Sequence, residues 1–259
     1  MRNKLTIVKV GGGIINDKII LNQFLKDFSK IEGMKLLVHG GGLVASDNLN
    51  KLGIDAKLIN GRRITDGKTL DVIIMTYAGL LNKNIVAKLQ KYNCNTIGLS
   101  GVDCNLIRGK KRVINEIDYG FVGDIEEVNV DIIKILLNSN ITPVVCSLSH
   151  DGQGQILNTN ADSITSVVSI ALSKEFDVTL KYCFDKPGLL IDQNDESSIK
   201  KYIRLSEYKD LINKNIITDG MIPKIENCFS ALEKGVENVF IGNHNIINEE
   251  NNCTKLTLE

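Results

Sequence analysis

The chain has 259 residues, of which 43% are hydrophobic, a content that supports a packed core and argues against a disordered protein. Lys plus Arg number 31 and Asp plus Glu also number 31, so no overall charge attracts nucleic acid or an anionic membrane. The six cysteines are scattered without a C-x-x-C pair, which argues against both a disulfide framework and a zinc site.

The N-terminus leads directly into a strand-like segment, 5–10, and lacks the features of a signal peptide. No apolar stretch reads as long enough to span a bilayer. We therefore expect a cytoplasmic protein with reduced thiols and with neither a nucleic-acid nor a membrane partner.

Along the chain, short runs rich in β-branched residues alternate with longer segments of helical periodicity. This alternation predicts an α/β fold in which helices cover a mainly parallel sheet. The predicted strands are 5–10, 35–38, 96–99, 142–148, 178–184 and 238–241. The predicted helices are 19–31, 43–52, 69–92, 131–138, 161–172, 206–213 and 221–234.

One stretch, 106–128, interrupts this alternation and reads as antiparallel. The prediction places a turn at Arg108-Gly109-Lys110-Lys111, between 106–107 and 113–114, and makes the stretch a hairpin flap. No linker marks a lobe boundary, which we place near 173–177, after the helix that starts at Ala161.

Two glycine-rich turns follow predicted strands. In the first, Lys9-Val10-Gly11-Gly12-Gly13, a lysine precedes three residues that can adopt positive φ and approach a ligand closely. Exposed N–H groups ahead of a helix suit an anion, although a plain strand-to-helix turn fits these residues about equally well. No G-x-x-x-x-G-K-[ST] occurs in the sequence, which argues against a P-loop enzyme.

The second turn, Val38-His39-Gly40-Gly41-Gly42, fits three functions besides a plain turn. Gly40-x-Gly42-x-x-Ala45 formally matches a dinucleotide fingerprint, but that motif belongs after the first strand. His-Gly-Gly-Gly resembles an esterase oxyanion loop, but the nearest approach to G-x-S-x-G, at 98–102, lacks the second glycine. The third function is a pair of facing anion sites, one for a transferred phosphate and one for its acceptor.

Polar residues downstream are candidates to complete such a site. Asn60-Gly61-Arg62-Arg63-Ile64-Thr65-Asp66 offers two guanidinium groups, of which at most one is expected to bind a carboxylate. In the segment 158–162, Asn160 is a natural N-cap, which leaves Asn158 and Asp162 unexplained. Lys224 lies in the first turn of a predicted helix, where its charge opposes the helix dipole unless an anion lies between.

The glycine-rich turns and the polar segments, taken in their order along the chain, resemble motifs of the amino acid kinase family. The resemblance covers nearly the whole chain, from Lys4 to about Leu258. The resemblance implies one continuous eight-stranded domain, a three-layer αβα sandwich. Residues 1–174 would bind the acylated amino acid and form the dimer, and residues 175–259 would bind ATP. The matching motifs are Lys9 with Gly11-Gly12, His39-Gly40-Gly41-Gly42, Asn60-Gly61-Arg62-Arg63-Ile64-Thr65, Asn158-Thr159-Asn160-Ala161-Asp162, Asp185-Lys186-Pro187-Gly188 and Thr218-Asp219-Gly220-Met221-Ile222-Pro223-Lys224.

The resemblance also implies an activity, the ATP-dependent phosphorylation of the γ-carboxylate of N-acetyl-L-glutamate in arginine biosynthesis. Carried over by position, Gly41 and Gly42 would hold the reacting carboxylate, and Arg63 and Asn158 would hold the α-carboxylate. Such an acceptor is already ionised at neutral pH, so the reaction needs no general base.

The donor side follows from the same resemblance, with ATP and Mg²⁺ as the implied cofactors. Lys9 and Lys224 would stabilise the transferred phosphoryl group, and Asp162 would orient both lysines. No protein ligand for a metal is expected. The implied nucleotide-binding residues are Gly11, Gly12, Asp185, Gly188, Thr218 and Met221.

The sequence departs from the family pattern in two places. The segment 182–188 replaces the usual small residues and Asp-Val-x-Gly, and adds a lysine beside the nucleotide. The helical extension that links dimers into hexamers does not precede the first strand, so we expect a homodimer that pairs through 69–92 without arginine feedback. Two alternatives stay open, which are the same reaction on N-succinyl-L-glutamate and a non-catalytic amino-acid sensor on this fold.

Overall fold

The computed structural model describes residues 2–59, 61–217 and 221–259. The chain forms two compact units, Met1–Leu36 with Thr165–Glu259, and Leu37–Ile164. This is a division by packing, whereas the predicted division at 174/175 concerns ligand binding and stays a prediction.

The N-terminal part of the first unit begins with an alternation of strand and helix. Asp17 caps α2, since its side chain accepts from the backbone N–H groups of Ile19 (2.8 Å) and Ile20 (3.0 Å). The rings of Phe24 and Phe28 stack in its buried face, with centroids 6.3 Å apart. The elements are β1 (Lys4–Val10), α1 (Gly12–Asn16), α2 (Lys18–Ser29) and the start of β2 (Met34–His39).

The second unit contains the end of β2, two further strands of the parallel sheet and a four-stranded sheet. β8 pairs in parallel with β2 and β5, and the smaller sheet has the order β10-β9-β6-β7. The elements are α3 (Gly42–Lys51), β3 (Leu58–Ile59), β4 (Arg62–Arg63), α4 (Gly67–Ile74), a π-helical segment (Met75–Leu81), α5 (Asn82–Lys91), β5 (Thr96–Leu99), β6 (Ile107–Lys111), β7 (Gly123–Val128), α6 (Val130–Asn138), β8 (Thr142–Cys146), β9 (Leu148–His150), β10 (Ile156–Asn158) and the start of α7 (Ala161–Leu172).

The predicted flap is a hairpin, but its turn was placed wrongly. The residues expected to turn form β6, which pairs antiparallel with β7 from Ile107↔Val128 to Lys111↔Gly123. Arg-Gly-Lys-Lys has turn composition, yet ion pairs to the opposite strand hold it extended. These cross-strand pairs are Arg108 with Glu127 (2.5 Å), Lys110 with Glu126 (3.1 Å) and Arg112 with Asp124.

The predicted helix 69–92 is present as α4, the π-helical segment and α5 in one continuous helix, Gly67–Lys91. By length and composition alone this helix could cross a membrane, a test that a mostly buried core helix passes as well. Its polar residues Thr76 and Asn82 are buried and accept or donate hydrogen bonds within the second unit, as in a core helix.

The C-terminal part completes the first unit. Its strands follow the order β12-β14-β13-β11-β1, with β2 beside β1. β11 is parallel to both β1 and β13, whereas β14 is antiparallel to β13 and parallel to β12. The elements are the rest of α7, β11 (Asp177–Cys183), β12 (Tyr202–Arg204), α8 (Tyr208–Asn213), α9 (Ile222–Glu233), β13 (Asn238–Gly242) and β14 (Thr254–Thr257).

The predicted fold class, an αβα arrangement with a mainly parallel central sheet, is confirmed. All six predicted strands are present, although 142–148 divides into β8 and β9. The short strands β12 and β14 were not predicted, because three or four residues carry little periodic signal.

Candidate active site

The turn after β2 leads directly into α3. β2 ends at His39, and Gly41 is the N-cap of α3. Because Gly41 makes no side-chain cap, N–H groups of the first helical turn retain donor capacity for an anion. A Cβ on Gly41 would lie 2.3 Å from Cδ1 of Leu81 and 3.0 Å from the Tyr77 ring, whereas one on Gly42 would meet no described atom within 4 Å.

Gly11, Gly13 and Gly41 serve close approach and not a left-handed backbone. Among the described residues, the glycines with left-handed φ include Gly61 and Gly120 but none from 11–13 or 40–42. A Cβ on Gly11, for example, would lie 2.9 Å from the carbonyl oxygen of Cys183. The left-handed conformation that glycine permits is therefore not used at these positions, and it is the space freed by the missing side chain that the packing requires at Gly11, Gly13 and Gly41.

Arg63 lies against the turn that begins α3. Its side chain is only 7% exposed, and Nη2 donates to the carbonyl oxygen of Gly42 (2.9 Å) and to Oγ of Ser46 (2.7 Å). Nη1 is buried and has no hydrogen-bond partner among the described residues. Arg62 is exposed, in agreement with the expectation that only one of the two guanidinium groups is directed inward.

A buried guanidinium with an unused donor is suited to a carboxylate ligand, because an unpaired buried donor is costly and Arg binds carboxylates through a planar fork.

Tyr77 lies near the guanidinium group of Arg63. Burial raises the pKa of the Tyr77 hydroxyl, and the positive charge of Arg63 opposes that rise. Neither Tyr77 nor Ser46 was predicted, because each lies far from Arg63 in the sequence.

Asn158, at the end of β10, is joined to Arg63 through Thr65. Nδ2 of Asn158 donates to Oγ1 of Thr65 (3.0 Å), which donates to the carbonyl oxygen of Arg63 (3.1 Å). The connection between β6 and β7 fixes the same segment, since the N–H of Phe121 donates to the carbonyl oxygen of Thr65 (2.7 Å). Gly120 packs against that carbonyl, so close that a Cβ would lie 2.2 Å from its oxygen.

In the first unit, Lys9 lies opposite Tyr182 in the pairing of β1 with β11, and it is 9% exposed. The glycine turn that follows is tied to the end of β11, since the N–H of Gly11 donates to the carbonyl oxygen of Cys183 (2.8 Å). A Cβ on Gly13 would lie 1.9 Å from Oδ1 of Asp185. The structure therefore brings the Asp185 carboxylate against the glycine turn.

Lys224 lies in the first turn of α9, as predicted, and Met221 is the N-cap of this helix. The Nζ atom of Lys224 lies 4.8 Å from the centroid of the Phe184 ring, a cation–π distance. Phe184 directly precedes Asp185, so the segment that follows β11 supplies neighbours to Lys224 and to the glycine turn. Four residues of the predicted motifs lie outside the described residues, namely Asn60, Thr218, Asp219 and Gly220.

The structure also places Asp162, Gly12 and Gly188, three other predicted site residues. Asp162 lies in the first turn of α7, where its N–H donates to Oδ1 of Asn160 (2.8 Å), which confirms Asn160 as the N-cap. Gly12 is the first residue of α1. A Cβ on Gly188 would lie 2.7 Å from Oγ1 of Thr254, so packing against β14 explains that glycine without a ligand.

Metal binding by side chains alone finds no support in the described part of the chain, where no group of three or more His, Cys, Asp and Glu residues is placed to hold an ion. A magnesium ion that arrives with a nucleotide is held largely by phosphate oxygens, with one or two carboxylates. Asp185, beside the glycine turn after β1, is a carboxylate suited to that role.

Comparisons with known proteins agree with this geometry. The chain is 53% identical over 249 residues to the acetylglutamate kinase of Phocaeicola vulgatus, which covers 96% of this chain and 97% of that protein. It is 52% identical over 241 residues to the acetylglutamate kinase of Bacteroides fragilis, covering 93% and 92%. The crystal structure of smu.665 from Streptococcus mutans UA159 superposes with a TM-score of 0.80 at 26% identity, covering 98% of this chain and 99% of that one.

The profile of the Amino acid kinase family matches residues 4–243, nearly the whole chain. The motifs that carried the resemblance lie within this match. The chain therefore belongs to the amino acid kinase family.

Proposed function

We propose that this protein transfers the γ-phosphoryl group of ATP to the γ-carboxylate of N-acetyl-L-glutamate, a step of arginine biosynthesis. A carboxylate oxygen attacks the γ-phosphorus, the bond to the β,γ-bridging oxygen breaks, and ADP leaves. The products are ADP and the acyl phosphate. Near-complete coverage at 53% identity by a protein named acetylglutamate kinase supports this substrate.

The observation that carries the proposal is the setting of Arg63. Its guanidinium is buried beside the N-terminus of α3, with Nη2 on the carbonyl oxygen of Gly42 and Nη1 without a partner among the described residues. An acidic amino acid with two carboxylates matches these two adjacent features. Arg63 and Asn158 would bind the α-carboxylate, while Gly41 and Gly42 would bind the γ-carboxylate.

For the donor, we assign the residues of the first unit. Lys9 and Lys224 would neutralise the equatorial oxygens of the phosphoryl group, which is the main demand of phosphoryl transfer. Gly11 and Gly12 would offer backbone donors to the phosphates. Mg²⁺ would enter with ATP and neutralise charge on its phosphates. Asp185, Gly188, Thr218 and Met221 stay our proposed nucleotide-binding residues, and Asp162 our proposed partner of the two lysines.

The test is ATP consumption with N-acetyl-L-glutamate and N-succinyl-L-glutamate in parallel, with hydroxylamine present to trap the acyl phosphate as a hydroxamate. We expect ADP and hydroxamate in equal amounts with the acetyl substrate. Turnover with the succinyl substrate alone would reassign the acyl group. Binding of either compound without turnover would favour the amino-acid sensor and refute the kinase.

We further propose a cytoplasmic homodimer that pairs through Gly67–Lys91. Met75 and Leu80 of this helix are 58% and 49% exposed in the single chain, which suits contact with a second copy. Sedimentation should give twice the monomer mass.

A further inference from the structure

His39, the last residue of β2, is completely buried. Its Nδ1 atom lies 2.8 Å from the carbonyl oxygen of Gly40, the first residue of the turn. A carbonyl oxygen only accepts hydrogen bonds, so Nδ1 must carry the proton. His39 therefore orients the peptide group that precedes Gly41, the N-cap of α3.

The other ring nitrogen has its own partner. Nδ2 of Asn82 lies 3.1 Å from Nε2 of His39 and donates to the carbonyl oxygen of Val144 (2.9 Å). Lys83 donates from Nζ to Oδ1 of Asn82 (3.3 Å), so both ends of the amide are assigned by their partners. Asn82 is 1% exposed and donates to Nε2, which agrees with a proton on Nδ1.

Asn82 directly follows the π-helical segment Met75–Leu81. Tyr77 and Leu81 of that segment pack against Gly41, next to His39 and Gly40. Gly98 leaves the space that the amide needs, since a Cβ there would lie 1.9 Å from Oδ1 of Asn82.

We infer that His39 and Asn82 are positioning residues that set the orientation of the Gly40–Gly42 turn and thereby the placement of the acceptor carboxylate. This inference rests on the proposed function. Burial lowers the pKa of His39 to about 4, so the ring stays neutral and keeps one donor and one acceptor near neutral pH. A series of hydrogen bonds therefore runs from Val144 through Asn82 and His39 to the carbonyl oxygen of Gly40, at the start of the turn.

The kinetic test uses Asn82→Ala, with Asn48→Ala as the matched control. Asn48 donates from Nδ2 to Oγ1 of Thr76 (3.0 Å) in the same helix but has no link to His39. Asn82→Ala should lower kcat/KM for N-acetyl-L-glutamate by about 5- to 20-fold, because the loss of one or two hydrogen bonds has an effect of this size. The KM for ATP should not change. The control should change neither constant. Equal changes in both KM values, or none, would overturn the inference.

A second pair of variants separates the hydrogen bond from packing. In His39→Asn the amide nitrogen takes the place of Nδ1 and keeps a donor to Gly40, whereas His39→Leu has none. The asparagine variant should retain more of kcat/KM for the acceptor than the leucine variant. The opposite ranking, at equal folded fraction, would contradict a positioning role.

A spectroscopic readout keeps the inference testable apart from activity. The chain has three histidines, His39, His150 and His244, so ¹⁵N-histidine labelling gives few signals. His39 should be in the Nδ1–H form in the wild type, and Asn82→Ala should shift the amide resonances of Gly41 and Gly42. An Nε2–H ring or unshifted glycine amides would overturn the inference. An inactive wild type with both expected signals would instead refute only the proposed function.

Discussion

Gly41→Ala is the sharpest test of how the turn is built. The added Cβ would lie 2.3 Å from Cδ1 of Leu81 and 3.0 Å from the Tyr77 ring. Carbon atoms in favourable contact are about 3.5–4.0 Å apart, so Leu81 must move by more than about 1 Å or the turn must. Overpacking of this kind costs about 1–3 kcal/mol of unfolding free energy.

The substitution should lower activity as well as stability. If the turn moves by about 1 Å, the bound carboxylate moves with it, and such a misplacement lowers kcat/KM by about 100-fold. Urea unfolding gives the change in free energy, and initial rates at saturating ATP give kcat/KM for the acceptor. Gly79→Ala is the control, because its Cβ would meet no described atom within 4 Å.

A double-mutant cycle with Leu81→Ala identifies the cause. Leu81→Ala alone leaves a cavity and destabilises the protein by about 2–5 kcal/mol. Adding Gly41→Ala in that background should cost at least about 1 kcal/mol less than in the wild type, because the clash with Cδ1 is gone. An equal cost of Gly41→Ala in both backgrounds would refute the steric argument.

Three further predictions concern charged and titrating groups. Arg63→Lys should lower kcat/KM for the acceptor by about 10- to 100-fold in steady-state assays, since lysine lacks the fork, while KM for ATP stays constant. Lys9→Ala and Lys224→Ala should each lower kcat by at least about 100-fold, more than they raise either KM, and unchanged turnover would contradict their assignment. The pKa of His39 falls from 6.5 unfolded to about 4 folded, so the unfolded state binds more protons in this window. The unfolding free energy should therefore fall with pH from 6.5 to 4, by up to about 3 kcal/mol relative to His39→Asn measured in parallel.

The sequence was sufficient for much of the fold and for the acceptor motif. β-branched runs such as Lys4–Val10 and periodic segments such as Lys18–Ser29 depend on local composition, so their bounds were predicted within one or two residues. The turn 39–42 and Arg63 were also singled out from the sequence, where several functions fitted each of them, and the resemblance to the amino acid kinase family supplied their implied roles. Their binding roles stay predictions that the experiments above address.

The predictions from sequence failed where a segment distant in the sequence overrides the local conformational preference of the residues. Arg108-Gly109-Lys110-Lys111 has the composition of a turn, but acidic residues of β7 hold it as a strand. The glycines after β1 could adopt positive φ, yet Gly11 and Gly41 are needed because Cys183, Tyr77 and Leu81 pack close to them.

By itself, the sequence determined the alternation of strands and helices, the glycine turns at the ends of β1 and β2, and the family. Only the tertiary structure decided what surrounds each turn. Asn82 meets His39 across 43 residues, and Arg63 meets Gly42 across 21, through hydrogen bonds that no local pattern encodes. Secondary structure follows from short-range periodicity, whereas these contacts exist only once the segments that carry the two partners have packed together in the second unit.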